Sequence, residues 1–219
     1  MQPLRIRFEK KGRACFISHL DLNRCMSRAL KRAGIPAWYT QGFNPHPYIT
    51  FALPLSLFYE SDCEVMDMRL DGEMSFEEVR DRLHAEMPEG IRILEAVPPQ
   101  MKTTEITYAT YTIELEYPDA SGEMLENAWR SLLALPTIPI EKKTKRGMHD
   151  IDVRPFLVQA ETAAHDGMLS IRATLPAGQS ENLNPGCFAA ALARHAGLEP
   201  YIDHICRTGI FDTQMHPFV

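Results

Sequence analysis

Basic side chains and an aromatic loop follow one another near the start of the chain and could together contact a nucleic acid. Within residues 18–47, Arg24, Arg28 and Lys31 are spaced by four and three positions, which places them on one face of a helix. Cations of this kind attract phosphates whatever the base sequence, and aromatic rings can stack on unpaired bases. A solvated helix face beside an ordinary stiff loop explains the same pattern without any partner. The candidate nucleic-acid contacts in this part of the chain are Lys10, Lys11, Arg13, His19, Arg24, Arg28, Lys31, Phe43, Asn44 and His46.

A second basic group lies in the other half of the chain, which is otherwise acidic. Its candidate contacts are Lys142, Lys143, Lys145, Arg146 and Arg154. A basic turn at this point could meet phosphates, with Asp152 or Arg154 fixing its geometry. An exposed hairpin without any partner explains the same cluster equally well, because short Lys/Arg clusters are common in proteins.

Two histidines raise the alternatives of catalysis and metal binding. His19 and His46 could act as general acids or bases near neutral pH, and with Asp21 and Cys15 or Cys25 they could be metal ligands. Neither alternative has a supporting spacing such as H-E-x-x-H, and the phosphate-loop and dinucleotide patterns do not occur. The sequence therefore favours histidines that cap a helix or anchor a loop, in a protein without catalytic residues, metal or cofactor.

The charge of the chain is unevenly distributed, which matters more than its total. The 219 residues carry a net charge of −6, but residues 1–32 carry +7 and the remainder −13. A local positive field attracts a polyanion even on an acidic protein.

The five cysteines include no C-x-x-C pair, which predicts buried free thiols. No apolar run approaches the roughly 20 residues that span a bilayer, and no signal peptide is recognisable, so we expect a cytoplasmic protein without membrane contact.

Local signals predict how the first group of residues is positioned. Ser18 followed by Asp21 is typical of a helix N-terminus, and Gly34 followed by Pro36 is typical of its end. The loop at residues 41–47 contains two prolines, each of which restricts the residue before it to extended conformations. We therefore expect a helix from about residue 19, followed by a stiff loop.

The order of predicted elements along the chain indicates an α+β fold with two tandem ferredoxin-like (β-α-β-β-α-β) units. The first unit has strands at residues 4–8, 48–57, 63–70 and 91–97, with helices from about residue 19 and at 75–87. A proline-marked, polar stretch at 98–104 separates it from the second. The second unit has strands at residues 108–117, 139–143, 152–161, 168–175 and 205–211, with helices at 122–135 and 185–196. We therefore expect domains at residues 1–98 and 105–219, the second with an extra strand.

Several longer motifs resemble a known family. They are the runs KGR at 11–13, FISHLDL at 16–22, QGFNPHP at 41–47, FALPL at 51–55, the stretch 142–155 that ends in DIDVRP, and NLNP at 182–185. In these residues the chain resembles the bacterial radical SAM-linked protein family, a domain of unknown function found beside or fused to a radical SAM protein. The resemblance extends over nearly the whole chain.

The resemblance implies an accessory role in the modification of a macromolecule, with RNA as the expected substrate. Radical SAM catalysts hold an iron–sulfur cluster through a cysteine triad, and this chain has no C-x-x-x-C-x-x-C. We therefore expect a non-catalytic RNA-binding or substrate-presenting module whose partner is a radical SAM protein. Two alternatives stay open: a protein partner that never contacts RNA, and an endoribonuclease-like enzyme in which His19 or His46 acts on a ribose hydroxyl.

Overall fold

A computed structural model describes residues 1–144 and 147–218 as a mixed α+β structure with mostly antiparallel strands. The helices of the described part are α1 (His19–Arg32), α2 (Phe76–Ala85), α3 (Gly122–Leu133), α4 (Arg154–Val158) and α5 (Cys187–Ala196). The strands are β1 (Gln2–Lys10), β2 (Ile49–Phe51), β3 (Glu60–Leu70), β4 (Ile91–Val97), β5 (Tyr108–Glu116), β6 (Pro139–Thr144), β7 (Gly147–Asp152), β8 (Glu161–His165), β9 (Met168–Pro176) and β10 (Ile202–Phe211). Among the described residues, no helix is both long enough and apolar enough to span a bilayer.

The chain divides into two compact units. One consists of Met1–Ile106 with Arg207–Val219, and the other of Thr107–Cys206. The division falls within β10, so this strand contributes residues to both units. The C-terminal residues that we expected in the second domain therefore belong to the first unit.

The first unit is a sheet with helices on one face. The strand order is β4-β1-β3-β10, and β2 pairs with β3 through Ile49–Phe51. Side chains alternate along β1, so Leu4, Ile6 and Phe8 all point to the same face, where they are buried with residues of α1 and α2. A smaller apolar cluster also lies in this unit and consists of Cys63, Val65, Ile106, Ile210 and Phe218.

The start and end of α1 agree with the predicted signals. The Ser18 side chain accepts a hydrogen bond from the Asp21 backbone amide at 3.2 Å, which satisfies one of the unpaired donors of the first turn. After the last turn, Gly34 adopts φ +63°, the left-handed conformation that a side chain disfavours. The same capping arrangement starts α2, where Ser75 accepts from the Glu78 amide.

The second unit has the strand order β10-β5-β9-β8, and β6 and β7 form a separate two-stranded sheet. Its core includes Trp129 of α3, which stacks on Phe188 of α5 with ring centroids 6.2 Å apart. The strand predicted at 152–161 is wrong, because α4 occupies the middle of that segment. Val153 and Leu157 are both fully buried and lie four positions apart, a spacing that fits one helical turn as well as an alternating strand.

Candidate nucleic-acid interface

Helix α1 presents three cations on its exposed face, which we call the basic stripe: Arg24, Arg28 and Lys31. The orientation of the helix is set by its opposite face, where Leu22, Met26, Ala29 and Leu30 are buried against the sheet. Arg24 is paired with Asp21 at 3.1 Å, and bonds from Ser18 and Arg24 hold the pKa of Asp21 below its usual value. Arg28 and Lys31 form no ion pair with any residue that the structure describes. Two of the three charges are therefore available to an external phosphate.

An exposed pair of aromatic rings, Phe16 and Phe58, lies in the same unit and is not evident from the sequence. The two rings meet edge to face with their centroids 5.8 Å apart, and 67% and 60% of the residues' surfaces are exposed. Leu57 and Leu20 are exposed as well, and Leu20 lies one helical turn before Arg24. We call Phe16 and Phe58 the aromatic pair. No local sequence pattern marks the pair, because Phe16 and Phe58 are distant in the chain.

Phe58 has an unusual backbone conformation. Its φ of +71° lies in the left-handed region, which costs a side-chain-bearing residue about 1–2 kcal/mol. Its amide donates a hydrogen bond to the Cys15 carbonyl at 3.0 Å, in the residue next to Phe16. Strained bulky residues of this kind are concentrated at functional sites, so the conformation itself marks the aromatic pair as a candidate site.

The predicted loop is closed by its own hydrogen bonds, and His46 is its anchor. The Thr40 amide donates to the His46 carbonyl at 2.9 Å, and the Nδ1 atom of His46 lies 3.1 Å from the Thr40 hydroxyl and 3.0 Å from the Asn44 carbonyl. Because a carbonyl can only accept, the bond to Asn44 requires the proton on Nδ1. At the tip of the loop, Phe43 is fully exposed. Next to it lies a polar groove of about 430 Å³, lined by residues that include Trp38, Tyr39, Gln41, Gly42 and Asp71.

His19 has a packing role in the structure. Its ring meets the edge of Phe51, the last residue of β2, with centroids 5.0 Å apart. Within the described part of the chain, His19 and His46 contact neither each other nor a carboxylate. The geometry thus offers no acid–base pair built from these two histidines.

The first candidate cations differ sharply in exposure. Lys10 is buried, and its Nζ donates to the carbonyls of Ile17 at 3.1 Å and Cys15 at 3.4 Å. Burial lowers the pKa of Lys10, as expected for an ammonium group removed from water. The predicted phosphate contact at Lys10 is therefore out of reach of an external ligand. Lys11 is paired with Asp62 at 2.5 Å, whereas Arg13 is exposed and has no ion pair with a described residue.

In the second basic group, Arg154 has an internal role. Its Nε donates to the Leu135 carbonyl at 2.6 Å and its Nη2 to the Leu133 carbonyl at 3.3 Å, which places its charge at the C-terminal end of α3. One oxygen of Asp152 accepts from the amides of Ile138 and Arg154, at 2.8 and 3.0 Å. Asp152 thus holds the segments on either side of the β6–β7 hairpin, and the guanidinium of Arg154 is bonded within the protein instead of being directed to an outside phosphate.

The structure describes few contacts for the remaining members of the second basic group. The backbone of Lys142 and Lys143 lies in β6 and pairs with β7. Lys145 and Arg146 lie outside the described residues. Among the candidate cations whose side chains the structure describes, Arg13, Arg28 and Lys31 of the first unit are exposed without an ion pair to a described residue.

All five cysteines are free thiols, and the predicted burial holds for three of them. Cys63, Cys187 and Cys206 are buried, and Cys15 and Cys25 are half-buried. Burial raises the pKa of the Cys63 thiol to about 11 and that of the Cys187 thiol to about 12. No cluster of three or more metal-binding side chains occurs among the residues described here.

The raised pKa of Cys187 predicts a loss of stability in alkaline solution. Above pH 9.0, its ordinary pKa, the unfolded thiol ionises while the folded thiol keeps its proton, so the folded state loses stability until the pH passes about 12. We expect the free energy of unfolding of the wild type to fall by about 2–3 kcal/mol more than that of Cys187→Ala between pH 9 and 11. Urea unfolding at several pH values measures this difference, because other titrating groups are common to both proteins. Parallel pH profiles would contradict the prediction.

Comparisons with known proteins identify a family and give little on function. Residues 3–185 match the family model described as an uncharacterized protein conserved in bacteria, DUF2344. A crystal structure of an unknown protein from Galdieria sulphuraria is similar at 13% identity over 93% of this chain and 95% of that chain, with a TM-score of 0.24. A TM-score this low carries no argument about fold or function. No curated protein matches the chain.

Proposed function

We propose, from the premise that this chain belongs to the bacterial family DUF2344, that it is a non-catalytic module that binds RNA and presents it to a partner. The observation that carries the proposal is the basic stripe, in which Arg28 and Lys31 are exposed without ion pairs among the described residues. One face of α1 carries Leu20 and then the three cations of the basic stripe, Arg24, Arg28 and Lys31. Leu20 lies four residues after Phe16, the last residue of the preceding turn. Phosphates and bases could thus be contacted along a single helix.

The partner in this proposal is a radical SAM protein, and RNA modification is the shared task. The support comes from the sequence motifs at residues 11–22, 41–55 and 142–155, which resemble the radical SAM-linked proteins. The chain has no cysteine triad for an iron–sulfur cluster, so the partner would supply the catalyst. In this role the present chain holds the substrate.

A ferredoxin-like arrangement of each unit belongs to the same proposal. Along the chain, the elements of the first unit follow the order β-α-β-β-α-β. In the sheet, its strands lie in the order β4-β1-β3, and β2 pairs with β3. In the second, β10-β5-β9-β8 follows the same order if the β6–β7 hairpin and α4 are regarded as an insertion. Many ferredoxin-like domains bind RNA, which is an analogy of fold and not an argument from the site.

The test is the affinity of the purified chain for a fluorescent single-stranded oligouridine, measured at several salt concentrations. In the double variant Arg28→Gln/Lys31→Gln we expect affinity at 0.1 M salt to fall about 10–30-fold and the slope of log K against log salt to decrease by about 1.4. Both changes follow from the loss of two phosphate contacts. The matched control is Arg80→Gln/Arg82→Gln on α2, which removes two cations that are paired with Asp81 and Glu78.

Three outcomes distinguish the proposal from its alternatives. Unchanged affinity and slope in the α1 variant would refute the role of the basic stripe. Absence of RNA binding, together with nuclease-resistant capture of the radical SAM protein, would favour the protein-only partner. Cleavage of the oligomer by the wild type that is lost in His19→Ala or His46→Ala would replace the binding module with an endoribonuclease.

A further inference from the structure

We infer that the aromatic pair is a stacking site for an unpaired base, so that the chain selects single-stranded RNA by its bases as well as by its phosphates. The inference rests on the proposed RNA binding and adds a site that the sequence patterns do not reveal. Phe16 and Phe58 are the two rings concerned, and both have most of their surface exposed. Exposed rings that leave a free face to solvent are what sequence-tolerant base stacking requires.

The segments that carry the two rings are fixed before any ligand binds. The Cys15 carbonyl accepts from the Phe58 amide at 3.0 Å and from the buried Lys10 ammonium at 3.4 Å. The Lys10 ammonium also binds the Ile17 carbonyl at 3.1 Å, so the residues on both sides of Phe16 are held. A preorganised pair loses little conformational entropy when a base stacks on it.

The turn is also joined to the beginning of β3. The Gly12 amide donates to the Glu60 carboxylate at 2.7 Å, and Lys11 is paired with Asp62 at 2.5 Å. These contacts give the carboxylates of Glu60 and Asp62 partners within the protein. The buried Lys10 cannot reach a phosphate. Its role is to position Phe16, through the carbonyls on either side of that residue.

Phe58 has a backbone conformation that does not favour a bulky side chain. Its φ of +71° is a conformation that glycine adopts without cost and a bulky residue does not. The ring is then left mostly exposed instead of being buried in the core. A residue that fits its own turn poorly and adds little to the core is explained by contact with a ligand.

The charge next to the aromatic pair favours a nucleotide as the occupant. Arg13 lies in the same turn as Phe16, three residues before it, is exposed, and has no ion pair with a described residue. On the other side, Leu20 leads along α1 to the basic stripe. A base stacked on Phe16 would thus bring its phosphates to a part of the chain with exposed cations before and after the ring in sequence.

The experiment compares two probes of equal length and charge: a nine-residue oligouridine and the same ribose-phosphate chain without bases. The wild type is expected to bind oligouridine about 10-fold more tightly than the abasic chain. Phe58→Gly suits the left-handed φ and is expected to fold normally, and with Phe16→Ser it should reduce the preference to about 2-fold or less. Tyr201→Ala, which removes an exposed ring from the second unit, is the matched control and should keep the full preference.

The outcomes separate this inference from the function on which it rests. If the wild type binds neither probe, RNA binding itself fails and the stacking site with it. If it binds both probes equally, or if Phe16→Ser and Phe58→Gly retain the preference, the stacking site is refuted while phosphate binding stands. A preference that is lost in Phe43→Ala alone would also overturn the inference, because it would place the base at the loop.

Discussion

Replacement of Arg207 by methionine is expected to lower the free energy of unfolding by about 3–5 kcal/mol, the usual loss when one member of a buried ion pair is removed. Arg207 and Glu64 are both almost completely buried, and the Nη2 atom of Arg207 donates to the Glu64 carboxylate. The same nitrogen donates to the Leu53 carbonyl at 2.8 Å. Without the guanidinium, the carboxylate of Glu64 would stay in the interior without its main compensating charge. Urea unfolding followed by circular dichroism measures the loss.

The double variant Arg207→Met/Glu64→Met provides the control for this prediction. It removes both charges and replaces them with apolar side chains, so we expect it to be more stable than Arg207→Met alone by about 2 kcal/mol or more. The buried Lys10 also interacts with the Glu64 charge, but neither substitution alters its carbonyl partners, Cys15 and Ile17. If the loss of stability in the double variant equals the sum of the losses in Arg207→Met and Glu64→Met measured singly, the pair is not coupled.

The parts of the fold that follow from local chemistry were predictable. Ser18 and Gly34 act within a turn of the residues they cap, so the bounds of α1 could be inferred from a few neighbouring residues. The loop could be inferred in the same way, and the anchoring role expected for a histidine is seen at His46. Signals of this type require no knowledge of the rest of the chain.

The exposure of a charge was not predictable, because it depends on contacts between distant segments. The N-terminal excess of positive charge includes Arg5 and Lys10, and both prove to be buried. Lys10 points inward, where the carbonyls of Cys15 and Ile17 in the turn before α1 accept hydrogen bonds from its ammonium group. A charge count along the sequence therefore overstates the positive charge that this surface can offer to a ligand.

The aromatic pair was missed for the same reason. Phe16 and Phe58 meet only after the turn before α1 has been bonded to the segment before β3. The error at residues 152–161 has a different origin, since Val153 and Leu157 fit two periodicities at once. Resolving that ambiguity requires the bond from the Val153 amide to the Ile138 carbonyl, which no local pattern reveals.

Arg5→Ala is expected to destabilise the protein by about 3–5 kcal/mol, whereas Arg7→Ala, two residues along the same strand, should cost less than about 1 kcal/mol. Arg5 is fully buried and binds both oxygens of Asp67, at 2.7 and 2.8 Å. Its Nη2 also donates to the Met101 carbonyl at 2.9 Å, and its guanidinium lies 4.3 Å from the ring centroid of Phe218. Arg7 pairs with Glu95, but 30% of its side chain is exposed to solvent that screens the interaction.

A third variant distinguishes the charge of Arg5 from its shape. Arg5→Lys keeps a cation but cannot bind Asp67 through two parallel bonds, so its stability should lie between those of the wild type and Arg5→Ala. Urea midpoints with a constant m-value would establish that all variants unfold from the same native state. Equal losses for Arg5→Ala and Arg7→Ala would show that burial does not set the strength of these pairs. If Arg5→Lys matched the wild type, charge alone would account for the contribution of Arg5, and the bidentate geometry with Asp67 would be dispensable.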